Sequence, residues 1–247
     1  MSTQTYTRYR SRRWGNGRTL HNPGRDSTER RDNIRKPAGG SGLVKKITTL
    51  AMIAGLGLVL YAGWVFGFGY YQARAGQDEL MANFEISGNK SVDNLHLQQE
   101  ATNMNASLAY LDPVGEIYLP KIDVRWMMVQ GSDKEALTKG PGHIQETTLP
   151  GAGGNFAVAG DRVLYGAPFL NLNEITVGDQ VKVRMPYGTF IYRVNETFIV
   201  TPDDVSVLQP VGYDAITLLT CDPPWDIKQR IVVRGILESV QPAGTAI

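Results

Sequence analysis

Residues Ile47 to Tyr71 form an uninterrupted run of 25 without a charged side chain. Wound as a helix at about 1.5 Å per residue, the run spans roughly 37 Å, enough to cross a bilayer with some tilt. Leu50, Ile53, Leu56, Leu58, Val59, Leu60, Val65 and Phe66 supply its apolar surface. Trp64, Tyr70 and Tyr71 suit a membrane–water interface. A cleaved signal peptide is the alternative, and Ala73-Arg74-Ala75 resembles a cleavage site. But 46 residues precede the run, and it exceeds the ~7–15 apolar residues of a signal peptide. A retained anchor is the expectation. Lys45 and Lys46 abut the run, and only Arg74 follows closely. The positive-inside rule then places the N-terminus in the cytoplasm and residues 72–247 outside.

The formal net charge of +1 hides a split about this run. Residues 1–46 carry 12 Lys+Arg against 3 Asp+Glu, a net of +9. Residues 72–247 carry 13 against 21, a net of −8. The outer part is therefore no basic nucleic-acid binder, and scattered arginines in the tail do not make a nucleic-acid site. Residues 1–46 read as a disordered basic cytoplasmic tail that sets topology and touches anionic lipid. Cys221 is the single cysteine, which excludes an internal disulfide and a cysteine-based zinc cluster. His21, His96 and His143 are too scattered for a local metal motif.

Residues 72–112 are polar and read as an extracytoplasmic spacer, with partial helix around Val92–Ala109. Residues 113–240 have a different texture: short runs rich in Val, Ile, Tyr and Phe between Gly, Pro and Asp. Strands are expected at Gly115–Leu119, Trp126–Gln130, Asn155–Ala159, Gln180–Met185, Thr189–Val200, Ala215–Thr220 and Arg230–Leu237. Pro186-Tyr187-Gly188 reads as a hairpin turn; short helices fit Asp133–Thr138 and Pro168–Leu172. This pattern predicts a closed all-β domain, barrel or sandwich, followed by a short tail at 241–247.

Cys221 ends the strand-like run Ala215–Thr220, and Asp222-Pro223-Pro224 stops that run. A lone cysteine is commonly a buried small hydrophobe, but outside the cell an unpaired thiol has to be used or buried. Arg230 opens the next strand. If the two strands pair antiparallel, the end of one meets the start of the other, and Arg230 falls near Cys221. A guanidinium there can favour thiolate and stabilise an oxyanion. Arg234 lies roughly 13 Å further along and is expected to form a surface ion pair.

Thr217-Leu218-Leu219-Thr220-Cys221, with Arg230 nine residues on in Gln229-Arg230-Ile231-Val232-Val233, resembles the signature of bacterial sortases. These are membrane-anchored cysteine transpeptidases of Gram-positive cell envelopes. The resemblance runs over about 113–238. Tyr118-Leu119-Pro120-Lys121-Ile122 is similar to the family's opening strand. Lys139-Gly140-Pro141-Gly142-His143, Leu149-Pro150-Gly151, Tyr165-Gly166-Ala167-Pro168-Phe169 and Gly178-Asp179 resemble its class E branch. The implied fold is a β-barrel of about eight strands. The implied chemistry is attack of the Cys221 thiolate on the Thr–Gly bond of a Leu-Pro/Ala-X-Thr-Gly sorting signal. A thioacyl enzyme follows, and an amine resolves it. The implied partners are surface proteins bearing such signals, an amine acceptor such as a peptidoglycan precursor or a pilin, and membrane lipid through the anchor. No metal or organic cofactor is implied. Thr220 would help shape the substrate pocket, with Arg230 as oxyanion or substrate clamp.

One position departs from the family. Its catalytic histidine follows a strand ending Ala-Gly; here Asn155-Phe156-Ala157-Val158-Ala159-Gly160 is followed by Asp161 and Arg162. An imidazolium would attract a thiolate and could protonate a departing amine, whereas a carboxylate repels a thiolate. Losing a positioned acid/base commonly costs ~10²–10⁴-fold in rate. Two outcomes are therefore open: a transpeptidase that works with Asp161 in the histidine slot, or a sortase-fold protein that binds signals or partners without turnover. Asp161 could otherwise pair with Arg162 or cap a turn. Asp222 is expected to shape the Pro223-Pro224 turn. His143, the only histidine in the barrel region, is expected to be a hydrogen-bonded structural residue rather than a substitute base.

Overall fold

A computed structural model describes residues 42–84 and 93–245. Residues 1–41 of the basic tail, His21 among them, lie outside the described residues; the tail's last five, 42–46, begin helix α1. The chain divides at Ala51/Met52 into two units, and all packing below lies within residues 52–245. Helix α1 (Gly42–Ala82) contains the apolar run and continues eleven residues beyond it. It is long and apolar enough to cross a membrane. Helix α2 (Asn94–Ser107) follows, with Leu97 and Ala101 buried.

Eight strands close a barrel: β1 (Pro113–Leu119), β2 (Val124–Gln130), β3 (Gly142–His143), β4 (Asn155–Ala159), β5 (Gln180–Met185), β6 (Gly188–Val200), β7 (Ala215–Asp222) and β8 (Gln229–Gln241). The order around the barrel is β1-β2-β3-β4-β7-β8-β6-β5, and β5 returns to β1. The barrel resolves the barrel-or-sandwich alternative. β5 shows why it forms: Val181, Val183 and Met185 are buried, while Gln180, Lys182 and Arg184 between them are not. Alternation at period two gives a strand one apolar face. Ile117, Met128, Phe156, Phe190, Ile216 and Val233 fill the interior. The β5–β6 hairpin turns at Pro186–Tyr187, as the sequence predicts. Helix α3 (Lys134–Lys139) starts on Asp133, whose Oδ1 accepts from Ala136 N at 2.9 Å.

β3 is only two residues long, so it covers little of β2. An unpaired backbone group buried there would be costly. The side chain of Gln77 on α1 fills the gap. Its Nε2 donates to Met127 O and to Lys139 O, both at 2.9 Å, and its Oε1 accepts from Met127 N at 2.7 Å. Leu80, one turn on, is buried against Met127, Val129 and Ala136. The end of α1 is thus part of the barrel's wall.

Candidate active site

Two parallel strands assemble the site. β4 and β7 run side by side in register, Ala159 opposite Leu219, so their C-terminal ends emerge together. Asp161 leaves one end and Cys221 the other. Gly160 N donates to Leu219 O at 3.1 Å, and Thr220 Oγ1 donates to Gly160 O at 2.8 Å. A side chain at Gly160 would overlap the Phe169 ring, so only glycine lets the segment pass. Thr220 is buried, and its hydroxyl serves this junction.

β7 pairs antiparallel with β8, and Cys221 faces Arg230 as its direct partner. Residues directly opposite in such a pair project to the same face. Arg230 Nη1 donates to Ile227 O at 3.0 Å and Gln229 O at 3.1 Å, which folds the guanidinium over the start of β8. Cys221 is partly exposed. Cys221, Arg230, Asp161 and Thr220 all line one cleft of ≈ 280 Å³. A larger cavity of ≈ 850 Å³, bounded by α1, α2 and the Pro186–Tyr187 turn, holds none of them.

Asp161 caps its own turn: Oδ1 accepts from Val163 N at 2.7 Å and from Leu164 N at 2.5 Å. It does not pair with Arg162. Arg162 instead turns inward, 5% exposed, and its Nη1 donates to Cys221 O at 3.0 Å and forms an ion pair with Asp222. Its Nε donates to Leu170 O at 3.0 Å, and Nη2 donates to Asn173. Arg162 thus ties the residue bearing the thiol to the segment that follows Asp161. Asp222 has this ion pair in addition to any part in the Pro223–Pro224 turn. A buried arginine right after Asp161 has no periodicity to announce it.

The far wall of the cleft is the 3₁₀ turn Val205–Leu208 with Thr201, Pro202 and Asp204 before it. A buried polar set holds that turn down. Asn155 Nδ2 donates to Val207 O at 2.9 Å and accepts on Oδ1 from Thr217 Oγ1 at 2.7 Å. Arg234 Nη2 donates to Val207 O at 3.2 Å, and Nη1 donates to Glu196 Oε1 at 2.7 Å. Arg234 is 8% exposed, so its expected surface position is corrected. The outer face of β8 is covered there by the 205–208 turn, which strand periodicity does not reveal.

His143 is fully buried, lies 5.2 Å from the Phe156 ring centre, and does not line the cleft. Its Nδ1 lies 2.7 Å from Gln130 Oε1 and its Nε2 3.2 Å from Thr147 Oγ1. Burial pushes its pKa down to about 4. It is a neutral structural imidazole. His96 sits on α2, 3.6 Å from Glu100. Among the described residues no group of three or more His, Cys, Asp or Glu is arranged to hold a metal.

A sortase-domain family model matches residues 117–238. Sortase SrtE1 of Streptomyces coelicolor is 28% identical over 237 residues, covering 88% of this chain; the chain spans 64% of that relative's length. Sortase D of Bacillus subtilis is 26% identical over 185 residues, 73% of this chain and 90% of its own. The solved sortase E of Streptomyces avermitilis is 32% identical, with a TM-score of 0.50 over 54% of this chain and 93% of that one. The Clostridium perfringens Sortase D5 transpeptidase gives a TM-score of 0.55 at 26% identity, over 68% and 99%. The eight-stranded closed barrel is the sortase fold, and the chain belongs to the sortase family.

Proposed function

We propose that this protein is a class E-like sortase, anchored by α1 with its N-terminus in the cytoplasm and its barrel outside. It cleaves a Leu-Pro/Ala-X-Thr-Gly signal through Cys221. The observation that carries this reading is the direct pairing of Cys221 with Arg230 on the cleft that Asp161 also lines. The Sγ–C bond forms as the Thr–Gly C–N bond breaks, and the glycine-side amine leaves with a proton. An amine of the acceptor, a peptidoglycan precursor or a pilin, then displaces the thiolate. Arg230 stabilises the oxyanion or holds the signal. Thr220 shapes the pocket by fixing the Gly160–Asp161 junction. Asp161 stands where the family has its proton-transferring histidine.

A second reading has its own support. Asp161 Oδ1 is committed to two backbone N–H groups, a capping role that needs no catalysis. The chain would then hold sorting signals or partner an active enzyme without turnover. One experiment separates the two. The full chain in lipid nanodiscs is assayed for cleavage and transpeptidation of Leu-Pro-X-Thr-Gly and Leu-Ala-X-Thr-Gly peptides, beside Cys221→Ala and Asp161→His. Cysteine-dependent turnover by the unaltered chain establishes the first reading. Turnover only in Asp161→His, with peptide binding retained by Cys221→Ala, establishes the second. Absence of both turnover and binding in every variant would overturn both.

A further inference from the structure

The most exposed large apolar side chains of the barrel, among the described residues, are Ile227 at 74% and Trp225 at 71%. Both lie in the loop joining β7 to β8, directly after the candidate nucleophile. Water is a poor setting for a pair of this size on one short loop. The loop is not slack. Asp226 N donates to Pro223 O at 3.1 Å, Lys228 N donates to Asp226 Oδ1 at 3.0 Å, and Arg230 takes Ile227 O. Trp225 itself adopts φ 71°, a backbone region that bulky residues rarely occupy and hold only under constraint. The constraint turns the indole outward.

What the indole meets is α1. The Trp225 and Phe66 rings lie edge to face, centroids 6.1 Å apart at 87°. Phe66 stands five residues inside the end of the uncharged run at Tyr71. At about 1.5 Å per residue that is roughly 7 Å into the apolar segment. The Val163–Gly166 turn, next to Asp161, borders the same stretch: with Trp64, Phe66, Phe68 and Tyr70 it lines a hollow of ≈ 530 Å³. Loops from both halves of the site therefore lie level with helix residues that are lipid-facing if α1 spans a membrane.

We propose that the β7–β8 loop is a second membrane contact: Trp225 and Ile227 enter the interfacial layer of the bilayer beside α1 and hold the Cys221 cleft at the lipid surface. The proposal rests on the reading of α1 as an anchor. Indole is suited to that layer, being apolar in body with one N–H to satisfy. Lys228, on a side chain 84% exposed, can extend its ammonium to lipid phosphates from the same loop. Asp226, 3.9 Å from that ammonium, is the loop's one carboxylate and is countered by it. Reactants confined to the membrane would then reach the cleft by lateral diffusion.

The test uses the full chain carrying Cys221→Ala, which removes the only native thiol, with one introduced cysteine bearing an NBD fluorophore. The three positions are Ile227→Cys, Leu60→Cys within α1, and Asp203→Cys on the exposed segment before the 205–208 turn. Each is placed in nanodiscs of phosphatidylcholine and phosphatidylglycerol and quenched either by nitroxide-bearing lipid or by aqueous iodide. The label at 227 should lose fluorescence to nitroxide lipid and be shielded from iodide, as at 60, with the reverse at 203. Trp225→Asp in the chain labelled at 227 should reduce the lipid quenching. If 227 behaves like 203 while 60 is quenched by lipid, the anchor stands and the loop contact is overturned. If 60 is not quenched by lipid, the anchor reading fails and the loop contact with it. Residues 225 and 227 are exposed, so these variants keep the barrel core intact.

Discussion

Gln77 treats Met127 as a neighbouring strand would, accepting from its N–H and donating to its carbonyl. Two main-chain groups of β2 therefore depend on one helix side chain. Gln77→Ala would leave both unpaired in a site only 7% exposed. The expected cost is about 2–3 kcal/mol, since each unsatisfied buried group costs ~1–3 kcal/mol and water offsets part of it. Chemical denaturation of the full chain in nanodiscs reads this directly. A soluble fragment starting at residue 72 should likewise outlast one starting at residue 84, which lacks Gln77 and Leu80.

His143 gives the fold a pH dependence. Its pKa is about 4 in the folded protein against an ordinary 6.5. Between those values the unfolded chain takes up a proton that the folded chain refuses. The stability is fully present above pH 6.5 and is lost as the pH falls toward 4, by about 3 kcal/mol in all. Denaturation midpoints should fall through that window. His143→Gln should flatten this part of the profile, even if it lowers stability throughout.

Asp161→His exchanges a turn cap for an acid/base. The cap bonds to Val163 N and Leu164 N would go, at about 1 kcal/mol. If the scaffold is otherwise competent, turnover should rise by ~10²-fold or more. The expected pair of results is a lower melting temperature and faster peptide cleavage. A second readout is iodoacetamide alkylation of Cys221 near neutral pH, which should be faster in the histidine variant because imidazolium attracts the thiolate.

Arg162 is bonded to the main chain of Cys221. Arg162→Ala would orphan Asp222 and free Cys221 O, costing about 2–4 kcal/mol with the pair mostly buried. Arg162→Lys keeps the charge but cannot reach Leu170, Asn173 and Cys221 together. It should restore part of the stability while leaving the Cys221 alkylation rate altered. A purely structural role would restore both together.

Arg234→Ala should loosen the cleft wall rather than the barrel. Val207 O keeps Asn155 as a donor, so the loss should be about 2 kcal/mol. Hydrogen exchange should rise over residues 201–210 and stay unchanged in β1 and β2.

The barrel was largely legible because runs rich in Val, Ile, Tyr and Phe stand between Gly, Pro and Asp, with a clean period-two alternation in Gln180–Met185. The Cys221–Arg230 pairing followed from two consecutive strands and a short connection. β3 was missed because Gly142–His143 is too short for any periodicity. Arg234 was misplaced because its cover, the 205–208 turn, comes from a different part of the chain. Arg162 was missed for a related reason: its four partners lie at 170, 173, 221 and 222, and only tertiary folding brings them to one guanidinium. Residues 72–82, read as spacer, lie in α1, because a polar texture does not show that Gln77 has buried partners.

The hydrogen bond from Thr220 to Gly160 spans 60 residues of sequence, across a parallel pair that local folding cannot make. Pairings of this kind close late, after loop entropy has been overcome. A half-folded chain can therefore hold Cys221 and Arg230 together on the local β7–β8 pair while Asp161, on β4's end, has not yet been brought beside them. Cys221 and Asp161 come to line one cleft only when the barrel has closed, so the cleft is a product of the completed topology rather than of either strand alone.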